Sequence, residues 1–347
     1  MHMGSERRRI FVKEVPQVAP RRQRPINLPG AVLRVEGDGR IATVDRKARQ
    51  VVIWNTDVEP VQKVILSGLP DPQPGTEFER LILLSDLTGV LLGVDQVVCL
   101  DPSGTQRWSL RHPPWPRGRI GGDVVVIDHR LVIVLPASPV LAGYGVHPIE
   151  LAIVDIANGS ESGREPLLDE IGDPEGFHAI TRRDGHGGVL DGGYGQDGSQ
   201  IWQIKLSSGR AESTPLGTFD RILADLSPSG DEFLTTPHGT GGLVLYRWND
   251  LTEVGRLEPA DVFELEAPNN DSFDFYAWFL SSDRLLALTR QGRLLLIDRR
   301  RMTVEYQIVP RGFEALGLEG EISAVTVMDE DRILVHGQAG RMELCEL

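Results

Sequence analysis

The sequence predicts an all-β protein built from repeated four-stranded antiparallel units, and three observations support this prediction. Short apolar runs with the alternation of β-strands recur along the chain, as in "LVLYRWND" at 243–250. Turn-forming residues separate these runs, with 38 Gly and 23 Pro among 347 residues. One type of strand, which ends on a large residue followed by a polar turn former, recurs at a nearly constant interval. Helical periodicity is scarcely visible.

This marked strand occurs seven times, and its penultimate residues are separated by 46, 54, 50, 44, 49 and 48 positions. These seven repeat positions are Trp54, Leu100, Val154, Ile204, Trp248, Ile297 and Cys345. Six of them are followed by Asp, Asn or Glu. Two further apolar runs precede the marked strand in each unit and another follows it in several. Each unit is therefore expected to be a meander of four short strands.

Seven such units predict a single seven-bladed β-propeller, because one small sheet cannot bury both faces unless it packs on its neighbours around an axis. The last unit supplies only three strands before Leu347, so a strand near the N-terminus should complete it and close the ring. Ile10–Val15 is the first candidate for this strand and Ile26–Leu28 the second. The chain then divides into a basic arm at 1–30, which includes the closing strand, and the propeller at 31–347.

The marked strand also predicts local interactions. The large apolar residue at each repeat position should pack between adjacent blades, where the core of such a fold lies. The Asp or Asn that follows it should accept hydrogen bonds from the backbone of the next turn.

Several segments resemble WD40 repeats. "SPSGDEFLTT" and "GGLVLYRWND" within 227–250 are similar to one such repeat, with Trp-Asn standing where Trp-Asp is usual in that family. "VVIWN" (51–55) and "SSDRLLALTRQGRLLLID" (281–298) match more loosely, and "VVCLDPSGTQRWSL" (97–110) resembles a quinoprotein-type blade that occurs once. The resemblance implies a divergent WD40-like propeller over the whole chain.

Composition narrows the classes of function. The formal charge of −14 argues against a body that binds nucleic acid. Residues 1–24 carry a net charge of +5, so this arm either serves ring closure or touches an anionic partner. Four Lys against 32 Arg is typical of a GC-rich genome. Without a secretory signal or an apolar run long enough to span a bilayer, we expect a cytoplasmic protein that does not enter membranes.

In a meander, the loops that join blades and the hairpins between second and third strands share one face of the ring. The long insertions of this sequence all fall on that loop-rich face: Gly68–Glu79, Arg111–Gly122, Pro136–Glu150, Arg164–Gly176, Glu258–Asp274 and Pro310–Glu321. Binding residues commonly lie on long loops held by a rigid scaffold. The loop-rich face is therefore the expected working surface.

Candidate partner-binding residues lie within those insertions: Trp115, Arg117, Arg119, Tyr144, His147, Asp271 and Phe273. Trp115 stands among prolines with two nearby arginines, which suggests a rigid aromatic anchor, although packing onto its own blade is the alternative. Tyr144 and His147 occupy a long hairpin loop and have ordinary loop packing as their alternative. The acidic residues of 261–274 suggest either a Ca²⁺ site or, as the spacing favours, a solvated acidic rim or a docking patch for a basic partner.

The sequence contains only weak patterns for catalysis or metal binding. The eight His show no zinc-ligand spacing, although His178 and His186 could face the central channel. The two Cys, Cys99 and Cys345, are expected to be buried and reduced. We expect no cofactor, no metal and no catalytic residue, and the leading hypothesis is a scaffold that binds another protein. The alternatives are a propeller hydrolase, lactonase or lyase with polar channel residues, and a sensory module acting beside an effector chain.

Overall fold

In the computed structural model, most of the described residues lie in β-strands. The described residues are 16–26, 28, 31–34, 40–45, 50–65, 80–115, 121–137, 149–167, 176–193, 198–216, 220–239, 241–263, 272–310, 322–337 and 341–347. They form seven sheets, each with four consecutive blade strands or three such strands and one from the N-terminal region. The predicted seven-bladed β-propeller of four-stranded antiparallel blades is therefore confirmed.

Two strands precede the blades, namely β1 (Gln17–Val18) and β2 (Arg22–Ile26). Blade 1 consists of β3 (Ala31–Arg34), β4 (Ile41–Asp45), β5 (Gln50–Trp54) and β6 (Pro60–Ile65). Blade 2 consists of β7 (Arg80–Leu83), β8 (Gly89–Leu92), β9 (Gln96–Leu100) and β10 (Gln106–Arg111). Blade 3 consists of β11 (Val124–Ile127), β12 (Arg130–Pro136), β13 (Ile149–Asp155) and β14 (Glu161–Pro166).

Blade 4 consists of β15 (Gly176–Thr181), β16 (Gly188–Gly193), β17 (Ser199–Ser207) and β18 (Arg210–Pro215). Blade 5 consists of β19 (Arg221–Leu226), β20 (Glu232–Pro237), β21 (Leu243–Arg247) and β22 (Glu253–Leu257), followed by the short helix α1 (Pro259–Val262). Blade 6 consists of β23 (Phe273–Phe279), β24 (Arg284–Thr289), β25 (Leu294–Asp298) and β26 (Thr303–Ile308). Blade 7 contributes β27 (Ile322–Val327), β28 (Arg332–Gly337) and β29 (Met342–Glu346).

The ring is closed by β2, which pairs antiparallel with β29 and becomes the outer strand of blade 7. Closure by an N-terminal strand is confirmed, but the expected position was wrong. Ile10–Val15 lies outside the described residues, and of the second candidate only Ile26 belongs to the strand. An outer strand is largely exposed, so the polar sequence "RQRPI" serves there and Pro25 is tolerated at an edge.

A second N-terminal pairing was not expected. β1 pairs parallel with β26, with Gln17 opposite Gln307 and Val18 opposite Ile308, and so adds a fifth strand to blade 6. The same stretch of chain thus clasps the outer edges of two neighbouring blades.

The seven repeat positions lie where the prediction placed them, between blades. Seven apolar clusters fill the seven boundaries, and each contains one repeat position packed against the preceding blade. Six of these side chains are buried, whereas Trp54 is partly buried at the boundary that joins blade 7 to blade 1. Cys99 and Cys345 are free, buried thiols, and burial raises their pKa values to about 11 and about 12.

The polar residue after the repeat position also acts as expected in several blades. The Asn55 side chain accepts the amides of Asp57 and Glu59 at 3.0 and 2.9 Å, and Asp101, Asp155 and Asp298 accept turn amides in the same way. Blade 5 differs, because Asp250 accepts the Thr252 amide at 3.1 Å in place of the expected Asn249. Here the strand ends at Arg247, one residue before the repeat position Trp248, whereas β5 and β9 end at theirs.

Candidate functional site

Most of the predicted partner-binding residues fall on the long loops, and Arg117, Arg119, Tyr144, His147 and Asp271 lie outside the described residues. Trp115 and Phe273 are described, and both are buried. Trp115 is therefore not the exposed anchor expected from its Pro-rich setting, whereas a role of Phe273 in partner binding stays a prediction.

Trp115 packs into the boundary between blades 3 and 4, where 5% of its surface is exposed. Its ring lies 6.3 Å from that of Phe177, and its amide donates to the Val94 carbonyl at 2.8 Å. A Cβ at Gly121 or Gly122 would stand 3.0 Å from the indole, so these glycines make room for it. The Gly-Gly pair after the Pro-rich stretch is the sequence signal for this burial.

Phe273 opens β23 and is fully buried between blades 5 and 6. The register of β23 then shifts, since Phe273 pairs with Thr289 but Ala277 already pairs with Ala287. Residues 274–276 therefore bulge from the ladder opposite a single residue of β24. The bulge is held because the Phe275 amide donates to Asp274 Oδ1 at 2.8 Å and the Phe275 carbonyl accepts the Thr236 hydroxyl at 3.1 Å.

The bulge exposes a group of aromatic side chains. Phe275 and Tyr276 are 39% and 46% exposed, although both belong to the innermost strand of their blade. Two near-parallel ring pairs extend the group, with His238 over Phe275 at 6.1 Å and Tyr276 over Trp278 at 6.2 Å. We call this group, together with Arg290, the aromatic rim: His238, Phe275, Tyr276, Trp278 and Arg290.

Polar contacts fix the aromatic rim at the loop-rich face. The Arg290 guanidinium lies 5.9 Å from the Phe275 ring centre and donates to the Gly239 carbonyl at 3.1 Å. His238 Nδ1 lies 3.0 Å from Asp220 Oδ1. Both His238 and Arg290 stand on hairpins between second and third strands, so the meander places them on the predicted working face. A pre-formed, exposed aromatic group beside an arginine has the character of an interface anchor.

Inside the ring, Arg80, Asp123 and His178 form a second polar group, the channel cluster. Arg80 Nη2 lies 2.7 Å from Asp123 Oδ2, and Arg80 Nη1 donates to the Phe177 carbonyl at 2.8 Å. His178 Nδ1 lies 3.4 Å from Arg80 Nη2. Because the guanidinium can only donate, Nδ1 accepts and the neutral imidazole carries its proton on Nε2.

Burial dominates the titration of the channel cluster. Desolvation raises the pKa of Asp123 to about 6 despite the nearby Arg80 charge. Desolvation and then the Arg80 charge lower the pKa of His178 to about 4. Nearly half of the His178 side-chain surface is exposed nevertheless. The two observations agree if this surface borders the enclosed interior of the ring and not open solvent.

The Asp123 oxygens are nevertheless committed to structural contacts. Oδ1 accepts the amide of Val124 at 2.9 Å, and Oδ2 accepts that of Ala179 in the next blade at 2.6 Å. A general base needs a free lone pair within reach of a substrate proton. The geometry of Asp123 therefore suits a tie between blades better than proton transfer.

The same device recurs around the inner strands of the ring. Asp191 Oδ2 accepts the Leu223 amide at 3.0 Å, which joins blade 4 to blade 5. Asp225 Oδ2 accepts the Phe279 amide at 2.9 Å, which joins blade 5 to blade 6. Inner strands of neighbouring blades do not form a ladder with each other, so buried side chains satisfy their backbone amides. These pairs could not be predicted from the sequence, because their partners are 32 and 54 residues apart.

His186, the other histidine that the sequence suggested for the channel, does not belong to the channel cluster. His186 lies on the hairpin between the first and second strands of blade 4, where its Nδ1 is 3.1 Å from Asp128 Oδ1 and its side chain is exposed. It stands on the face opposite the aromatic rim. Among the described residues, no three His, Cys, Asp or Glu side chains are grouped so that they could hold a metal ion. None of the helices in the described ranges is long and apolar enough to cross a bilayer.

The architecture defines the chain as a seven-bladed β-propeller, the fold that is also found in WD40 repeat structures. Solved structures with this fold superpose on nearly its whole length. The RRP9 WD40 repeats align with a TM-score of 0.58 at 10% identity, covering 98% of this chain and 100% of theirs. The β-propeller domain of Cps50 (Swd1) from Myceliophteria thermophila aligns with a TM-score of 0.57 at 14% identity, covering 94% and 99%.

A chain of the mitotic checkpoint complex aligns with a TM-score of 0.57 at 15% identity, covering 100% of this chain and 95% of its own length. No protein-family model matches the sequence, and no curated protein does so either. At these identities the similarities establish the fold alone.

Proposed function

We propose that this propeller is a non-catalytic scaffold that binds a partner protein through its loop-rich face, with the aromatic rim as the anchor. The observation that carries the proposal is the bulge of β23, which holds Phe275 and Tyr276 out of the core. Strict alternation from the buried Phe273 would also bury Phe275, so the exposure of Phe275 is built into the backbone. Exposed aromatic side chains of this kind supply much of the binding energy at protein interfaces.

The fold is consistent with this role. One chain with the same fold belongs to a mitotic checkpoint complex, so a propeller of this kind occurs within a multiprotein assembly.

The proposal is tested by affinity capture from the native lysate with three baits. The wild-type chain and Val254→Ser, a control on the exposed outer strand of blade 5, are expected to capture the same specific partner. Phe275→Ser combined with Tyr276→Ser should lose it while thermal stability stays within a few degrees. Capture of the same set by all three baits would contradict the proposal.

A second candidate function rests on the channel cluster. Strongly shifted pKa values in an enclosed polar site also mark small-molecule sites, and Asp123 and His178 both show them. Binding there would use the exposed Nε2–H of His178 and the uncommitted donors of Arg80. A thermal-shift panel of sugars and lactones, with and without Ca²⁺, distinguishes this candidate, since a ligand that stabilises wild type but not His178→Ala would favour it.

A further inference from the structure

The outer strands of the blades differ in how they protect their free edges. A free strand edge invites pairing with other chains, and charged residues usually discourage it. Five described outer strands, β10, β14, β18, β22 and β2, each carry at least two charged residues. Only β26 and β6 carry a single one, Glu305 and Lys63 respectively.

Of these two weakly charged edges, the chain covers one itself. β1 lies along β26, where the Gln307 amide donates to the Pro16 carbonyl at 2.9 Å and the Val309 amide donates to the Val18 carbonyl at 3.0 Å. The edges of this propeller therefore accept an added strand in practice. In the part of the chain that the structure describes, no strand pairs with the outer edge of β6.

The β6 strand has the composition of a pairing strand. Val61 and Ile65 are 53% and 59% exposed, and they are the most exposed large apolar residues described. The intervening Gln62 and Val64 face blade 2, where Gln62 Nε2 donates to the Pro102 carbonyl at 3.4 Å. Successive side chains on a strand point to opposite faces. Val61, Lys63 and Ile65 thus form one exposed row.

Lys63 lies in this row and Arg24 lies near it, whereas the exposed Glu59 directly precedes the strand. Lys63 is exposed, and Arg24 of the adjoining blade 7 strand donates to the Asp57 carbonyl at the turn that leads into β6. Neither cation contacts a carboxylate among the described residues, whereas Asp57 is already paired with Arg332. An incoming strand with acidic side chains would find two cations here, within a protein whose overall charge is −14.

We propose that the outer edge of β6 is a second docking surface, on which an extended acidic segment of a partner protein adds as a fifth strand. Backbone hydrogen bonds supply affinity in such strand addition, and alternate side chains supply selectivity. Here β-branched residues of the partner lie against Val61 and Ile65, and a carboxylate lies opposite Lys63. A second copy of the chain fits less well, because it would bring another Lys63 and another net charge of −14 to the same edge.

The test uses the full chain and a fluorescent peptide in which valine alternates with glutamate, with a valine–lysine peptide as the comparison. Fluorescence anisotropy should show that the glutamate peptide binds. The double variant Val61→Glu, Ile65→Glu should weaken this binding at least tenfold, whereas Val254→Glu on the outer strand of blade 5 should leave it unchanged. Lys63→Glu should reverse the preference toward the lysine peptide.

Hydrogen exchange locates the bound peptide, which should protect amides within 60–65. The proposal is overturned if the glutamate peptide fails to bind, if protection appears elsewhere, or if Val254→Glu weakens binding equally. Sedimentation of the protein without peptide shows whether the β6 edge forms a dimer. A dimer that the Val61→Glu, Ile65→Glu variant dissociates would assign the edge to a second copy of the chain and overturn the acidic partner.

Discussion

The carboxylate of Asp191 in blade 4 accepts a hydrogen bond of 3.0 Å from the backbone amide of Leu223 in blade 5. Its other oxygen, Oδ1, is buried and has no hydrogen-bond partner in the described part of the chain. Burial accordingly raises the pKa of Asp191 to about 7, and the Leu223 amide offsets only part of this effect. The tie between the two blades therefore carries a proton-dependent cost.

Asp191→Asn should flatten the dependence of stability on pH. The folded state keeps a proton on Asp191 up to about pH 7, whereas the unfolded state loses it near the ordinary aspartate pKa of 3.8. Stability of the wild type should therefore fall as pH rises between these values. Asn retains an acceptor for Leu223 without the charge, so the variant should gain on the order of 2 kcal/mol relative to wild type between pH 4 and pH 8. Urea denaturation at both pH values measures this difference.

Asp101→Asn is the matched control, because hydrogen bonds from Ser103 and Thr105 lower the pKa of that exposed carboxyl. Its contribution to stability should be present at neutral pH and lost as pH falls through the lowered pKa. The opposite pH trend is thus expected. Identical trends for the two variants would contradict the assignment of Asp191.

Trp248→Ala should be among the most damaging single substitutions in the chain. The indole is buried between blades 4 and 5, with the Arg182 guanidinium 4.8 Å from its ring centre. Truncating a buried aromatic side chain costs about 3–5 kcal/mol. Trp278→Ala, which removes a partly exposed ring, should cost less than about 1 kcal/mol. Denaturant unfolding of the two variants checks the contrast, and comparable losses would contradict it.

Phe273→Ala and Phe275→Ala should separate stability from binding, although the residues are two positions apart. Phe273 is fully buried and packs edge-on to Phe263 at 5.5 Å, so its truncation should cost about 3 kcal/mol or more. Phe275 is exposed, and its truncation should leave the unfolding midpoint nearly unchanged while binding is lost. Equal unfolding midpoints for the two variants would show that the register shift of β23 is not where the structure places it.

Removing residues 1–26 should destabilise the ring, because β29 would lose its outer partner and the boundary between blades 7 and 1 would lose Ile26. Removing residues 1–15 leaves β1 and β2 and should have little effect. Thermal unfolding of both truncated chains tests this, with a fall in midpoint of roughly 10 °C expected only for the longer deletion. A similar midpoint for both would mean that β2 is dispensable.

The repeat could be predicted from sequence because its signal is local and is presented seven times. Every repeat position ends an alternating strand pattern, and six of the seven are followed by Asp, Asn or Glu. Val154 and Ile204 could therefore be assigned to the boundaries between blades without knowing which residues they pack against. Even the exception at Trp248, where Asp250 replaces Asn249 as acceptor, shifts the pattern by only one residue.

The candidate site was harder to predict from the sequence, because the exposure of a side chain depends on the register of its strand. Strict alternation in "FDFYAWF" would place Phe273 and Phe275 on one face, yet the bulge buries the first and exposes the second. The consecutive aromatic residues at 275 and 276 were the available hint, since both cannot face the core. The position of Trp115 was mispredicted for a related reason, because its partner Phe177 comes from blade 4 and is distant in the sequence.

The closing strand also escaped the search for alternating apolar residues, because an outer strand owes its position to backbone pairing. That pairing sets Arg22 beside Glu346, at matching ends of two antiparallel strands. A force applied at these two residues would break the hydrogen bonds between β2 and β29 one after another, instead of loading all of them at once. Stretching the protein between Arg22 and Glu346 should therefore open the β2–β29 seam at low force.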